Sequence, residues 1–266
     1  MLIRPGRSSG NLIDRRGGRG GGRVGLGIGG LVLLLIGAFF GLDLTPLLGG
    51  GVSEAPANEQ AVEPTDEAGQ TIDAILAETE NVWGELYRQS GETYREPNLV
   101  LFTGSTPTAC GFGQAAMGPF YCPGDQTVYM DLSFFRQLQS MGARGEFAVA
   151  YVIAHEVGHH IQNIEGLLSR TRSNRQSVQT ELTADCLAGV WTYHAQGEDG
   201  RLVLNETDIE SGISAAAAVG DDQIQRRSGQ AVQPESWTHG SSQQRVGAFL
   251  AGYERGDYGV CFGMSR

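Results

Sequence analysis

Residues 150–163 read AYVIAHEVGHHIQN, and this stretch decides what kind of fold the chain builds. Phe147, Tyr151, Ala154, Gly158 and Ile161 recur at three- and four-residue steps, which predicts a helix over Glu146–Ile164. On such a helix His155 and His159 lie four apart, so their imidazoles project from one face and can grip a single metal ion. Glu156 then reaches the coordination position where a water would sit. Two ligands and a general base within five residues is the arrangement of a zinc hydrolase. His160 points about 100° away from His159 and reads as structural.

Zinc needs a third protein ligand. The compact pattern with a glycine and a third histidine at short spacing is absent, because Gln162 and Glu165 occupy those positions. The better candidate is Glu181 in TELTADCLAGVW, on a helix expected from Thr171 to about Tyr193. Glu181 and Asp185 share one face of it. Glu181 completes a His₂Glu set that leaves one position open for water. Asp185 can accept a hydrogen bond from the free ring nitrogen of a ligand histidine, with His155 first in line. In that scheme Glu156 takes a proton from the attacking water and delivers it to the leaving amine.

A further donor is needed for the developing oxyanion. His239, in THGSSQQR at the entry to the last helix, is the candidate, with packing or capping of that helix as its plainer role. Tyr193, His194 and Tyr253 are weaker choices. The run ending in Tyr129-Met130-Asp131 reads either as an edge strand beside the site, where a peptide could pair, or as an ordinary interior strand.

Around these motifs the pattern is mixed. A helix is expected from about Thr71, built on Ile72, Ile75, Leu76, Val82, Trp83, Leu86 and Tyr87, followed by short β-prone runs at Asn98–Thr103 and Gln126–Asp131. Asp208–Gln225 reads as one helix, and a last one starts near Ser241, where Ser241 and Gln244 match a capping box. The outline is one α+β, mostly helical domain over residues 69–266.

The segment before it is different. Residues 1–23 carry six arginines against one aspartate (+5), which leaves about −16 for the remainder of a chain whose net charge is −11. An acidic body does not suit a nucleic-acid backbone, so that partner is excluded. Val24–Leu42 is an uncharged, mostly apolar run long enough to cross a bilayer. By the positive-inside rule residues 1–23 form a cytoplasmic Gly/Arg-rich tail, 43–68 a linker and the rest an extracytoplasmic domain. A cleaved signal peptide competes with that reading. Four cysteines, an even number in an oxidising compartment, fit two disulfides, for which Cys110–Cys122 and Cys186–Cys261 are favoured.

With these residues in hand, the chain resembles the neutral zinc metallopeptidase family of bacterial single-pass membrane proteins, the YpfJ type. The blocks that carry the likeness are GPFYCPGDQTVYMDLSFF, AYVIAHEVGHHIQN, TELTADCLAGVW, AAAAVGDD and THGSSQQR. The resemblance implies a zincin-like, gluzincin-type peptidase with His155, His159 and Glu181 on one zinc ion, Glu156 as base, and a peptide or protein as substrate. Two other readings stay open: a non-catalytic zinc-containing scaffold for envelope components, and a zinc amidase acting on cell-wall peptides.

Overall fold

The computed structural model describes residues 1–3, 7–16, 66–143, 145, 147–168, 173–196 and 202–263. In chain order the elements are β1 (Leu2–Ile3), β2 (Leu12–Asp14), α1 (Glu67–Gln89), β3 (Asn98–Phe102), β4 (Ser105–Thr108), β5 (Gly111–Gln114), β6 (Phe120–Cys122) and β7 (Thr127–Asp131). Helices then dominate: α2 (Ser133–Ser140), α3 (Phe147–Ile164), α4 (Asn174–Ala195), the short strand β8 (Leu202–Val203), α5 (Glu206–Ala218), α6 (Asp221–Arg227), α7 (Ser242–Arg255) and α8 (Tyr258–Phe262). The α+β, mostly helical expectation holds. The expected crossing at 24–42 and nearly all of the expected linker fall outside the described residues. Among the described residues no helix is long and apolar enough to cross a membrane.

The main sheet has the order β2-β3-β7-β6. Strands β2, β3 and β7 run parallel, with Leu12 opposite Leu99 and Val100 opposite Tyr129, and β6 pairs antiparallel with β7. The alternation of β7 is masked by burial on both faces, as expected for an interior strand of a covered sheet. The sequence makes residues 1–23 a tail, yet within their described part Leu12–Asp14 form a strand of this sheet. Leu12 is 1% exposed and sits in the main core. Two backbone bonds, Leu99 N–H to the Asn11 carbonyl and Arg15 N–H to the Leu101 carbonyl, extend the ladder on either side of β2. Both expected disulfides form: Cys110–Cys122 ties the β4–β5 hairpin region to β6, and Cys186–Cys261 ties α8 to α4.

Behind the sheet, α3 packs against α1, α4 and α5, and α4 lies along α7. The closest approaches are made by glycines. A Cβ on Gly158 would stand 2.9 Å from the Ala184 carbonyl oxygen, and one on Gly252 only 1.9 Å from the Cys186 carbonyl oxygen. The first brings α4 against the histidine-bearing helix, and the second brings α7 against α4. Gly252→Ala therefore has to push two helices apart. Alanine's better helix propensity, about 1 kcal/mol, is outweighed by overpacking of about 1–3 kcal/mol or more. The expected result is a lower melting temperature, read by circular dichroism.

The helix expected over Asp208–Gln225 is broken at Val219-Gly220 into α5 and α6. Gly220 is extended (φ −68°, ψ 139°), and a Cβ there would lie 2.3 Å from the Ser242 backbone nitrogen. The break lets the start of α7 approach, and Ser242 N–H donates to Asp222 Oδ1 at 2.7 Å. The capping box expected at Ser241 and Gln244 is present.

Candidate metal centre

Helices α3 and α4 bring His155, His159 and Glu181 together, as the sequence spacing suggests. The ligating atoms of the three lie within 4.8 Å of one another. His155 Nε2 is 3.3 Å from Glu181 Oε2, and His159 Nε2 is 3.5 Å from Glu181 Oε1. Both histidines thus aim Nε2 at one point, and their Nδ1 atoms are held from behind. That fixes the tautomer from the hydrogen-bond network.

The supports differ. His155 Nδ1 lies 2.8 Å from Asp185 Oδ1, the partner expected for it. His159 Nδ1 lies 2.9 Å from Gln162 Oε1, and the Gln162 amide in turn donates to the Thr180 carbonyl at 3.0 Å. Gln162 therefore holds a histidine by linking α3 to the start of α4. Its position three after His159 was the available signal. Gln162→Ala should weaken zinc binding about 10–100-fold with little change in fold, measured by chelator competition.

Asp185 is wholly buried and is itself gripped. Tyr151 OH donates to Oδ1, and Arg245 on α7 donates from Nε to Oδ2 at 2.8 Å and from an Nη to Oδ1 at 2.9 Å. Burial alone would raise the Asp185 pKa, but the Arg245 charge and then His155 outweigh it and hold the group ionised below its usual range. Burial opposes a charge on His155 too, and Asp185 with Glu181 outweighs this, raising its pKa to about 10. Glu181 is held below the usual range because His159 and His155 outweigh its burial. Glu156 goes the other way: burial first, helped by Glu181, raises its pKa. The carboxylates around two imidazoles make a site that calls for a cation.

A cleft of about 450 Å³ opens onto these residues. His155, Glu156, His159, Glu181, His239 and Arg245 supply imidazole, carboxylate and guanidinium groups to its lining, while Met117, Phe120, Phe134, Met141, Val152 and Ile224 supply apolar wall. His239 does reach the cleft. Asp221 fixes it: Oδ2 accepts the backbone N–H groups of Thr238, His239 and Gly240 at 2.8, 2.7 and 3.0 Å, and Oδ1 is 3.2 Å from His239 Nδ1. Tyr193, His194 and Tyr253 are not among the lining residues; His194 Nε2 bonds the Gly256 carbonyl instead. Nor is Glu165 at the site, since it accepts from Tyr87 OH.

The strand beside the cleft differs from one expectation. Tyr129-Met130-Asp131 lies in β7, the interior strand, so of its two readings the plain one holds. The edge next to the cleft is β6, with Phe120 and Tyr121 in the lining. Tyr121 OH accepts from Asn163 and so donates to His160 Nδ1, leaving His160 Nε2–H for the Arg95 carbonyl. Burial lowers the His160 pKa to about 4, and this histidine serves packing.

Fold and site together define an α+β, mostly helical protein in which His155, His159 and Glu181 could hold a metal ion, with Glu156 in the same cleft. Comparison with known proteins carries this further. The family described as "Putative neutral zinc metallopeptidase" matches residues 1–263, and the chain belongs to that family. It is 44% identical to "Uncharacterized protein YpfJ" of Escherichia coli (strain K12), over 97% of this chain and 98% of the relative. It is also 44% identical to "Uncharacterized protein Rv2575" of Mycobacterium tuberculosis (strain ATCC 25618 / H37Rv), over 63% of this chain and 62% of the relative. No solved structure matches.

Proposed function

We propose that the chain is a zinc-dependent peptidase that works on the oxidising, outer side of the cytoplasmic membrane. The observation that carries the hydrolytic part is the convergence of His155 Nε2, His159 Nε2 and a Glu181 carboxylate in a cleft that is also lined by the buried Glu156. The donor set fits zinc: two neutral imidazoles, each fixed through Nδ1, and one carboxylate. Zinc bound there would supply a Lewis acid and an acidified water at the open position.

The rest is done by the chain's own groups. Glu156, its pKa raised by burial, accepts the proton of the attacking water and returns it to the leaving amine. His239, its Nδ1–H held by Asp221, can donate from Nε2 to the developing oxyanion as the imidazolium, with both ring nitrogens protonated. The free edge of β6 offers backbone groups to an extended substrate, and the apolar wall from Met117 to Ile224 suits an apolar side chain next to the scissile bond. Two disulfides among the described residues favour an oxidising compartment.

The test is digestion of unfolded envelope proteins and of cell-wall stem peptides by the purified full chain, with zinc content measured in parallel. We expect one zinc per chain and cleavage within unfolded polypeptides, lost with a chelator and restored by zinc. Cleavage of stem peptides alone would replace the reading with an amidase, and zinc binding without cleavage of either would replace it with a scaffold.

A further inference from the structure

The sequence pattern places a membrane crossing between the N-terminal segment and the domain, whereas strand β2 pairs with β3 of the domain. We infer that residues 7–16, which contain strand β2, are a constituent segment of the metallopeptidase domain and lie on the same side of the membrane as the His155–His159–Glu181 site. This does not depend on the domain being hydrolytic.

Three independent features carry it. The first is the ladder between β2 and β3, with three residue pairs in register and a flanking backbone bond at each end. The second is Leu12, which fills the core beneath α1 and β3 and would otherwise leave apolar surface open. The third is Glu80, a carboxylate on α1 that is 2% exposed. Ser9 Oγ and Asn11 Nδ2 donate to it, and Arg7 pairs with it at 2.8 Å. All three come from the segment. A buried carboxylate stripped of them would pay its full desolvation cost.

The charge balance points the same way. Arg7, Arg15 and Arg16 belong to the basic tract that argued for a cytoplasmic tail. In the structure Arg7 also pairs with Glu96, Arg15 donates to Thr106 Oγ1, and Arg16 bridges Asp14 and Asp66 at 2.6 and 2.9 Å. Half of the six arginines thus have partners within the folded domain, and the fold accounts for them without a cytoplasmic location. A single crossing by Val24–Leu42 would put β2 and β3 on opposite faces, so the two arrangements exclude each other.

The test uses the full chain in spheroplasts. Ser8→Cys, at an exposed position, is treated with a membrane-impermeant maleimide, with Gln230→Cys in the domain as reference. The expected result is equal labelling of both from outside without permeabilisation. Labelling of Ser8→Cys only after permeabilisation, with Gln230→Cys labelled before it, overturns the inference. In parallel, Leu12→Asp and the milder Asn11→Asp, which sets a carboxylate against Glu80 and Glu96, should each lower the melting temperature of the purified chain. The expected drop is about 5 °C or more for Leu12→Asp. Unchanged melting in both variants overturns the docking.

Discussion

Glu156→Gln is expected to abolish peptide cleavage while leaving zinc in place. Glutamine keeps the size and shape of the side chain and removes its ability to take a proton. The position is buried, and burial raises the carboxyl pKa above its ordinary value, which makes the carboxylate a stronger base than a solvated one, a role no amide can take. General acid–base catalysis contributes about 10²–10⁴-fold, and kcat should fall by at least that much with KM little changed. Zinc stoichiometry should not move, because Glu156 is not one of the converging ligand groups. Kinetics on a quenched fluorescent peptide, with metal analysis of the same samples, decide the matter. Wild-type kcat in the glutamine variant removes Glu156 from the chemistry. Lost zinc would instead make it a ligand.

The centre itself was readable because all its parts obey helical spacing. His155, His159, Glu181 and Asp185 fall on two helices at i, i+4, and each helix shows its own apolar period. The sheet was partly readable. Asn98–Phe102 and Thr127–Asp131 stand out as β-prone, while β2 and β6 have only three residues each and look like loops. The β4–β5 hairpin is written in proline, threonine and glycine, and its pairing is seen only in three dimensions. Asp221 gave no signal: an acid at a helix start is ordinary, and its partners lie 17 to 19 residues away. Arg245 was hidden for a similar reason. An arginine on an amphipathic helix reads as surface, and its buried partners Asp185 and Tyr151 lie 60 and 94 residues away in sequence.

That hidden arginine supports the second large effect. Arg245 is 3% exposed and Asp185 is fully buried, so each is the other's main compensation for leaving water. Removing one partner of such a pair costs about 3–5 kcal/mol, since the remaining charge is stranded. Arg245→Met should therefore lower the melting temperature by roughly 6–20 °C at about 2–4 °C per kcal/mol. Asp185→Leu strands the cation instead and should do similar damage. Replacing both together, as Arg245→Met with Asp185→Leu, removes both charges and restores apolar volume, and much of the stability should return. Zinc affinity should not return with it. His155 would have lost the carboxylate that fixes Nδ1–H, and such losses cost about 10–100-fold in affinity. Thermal melts and chelator competition on the two single variants and the double variant separate these contributions. If Arg245→Met melts like the wild type, the pair does not stabilise the fold. If the double variant binds zinc as tightly as the wild type, Asp185 does not orient His155.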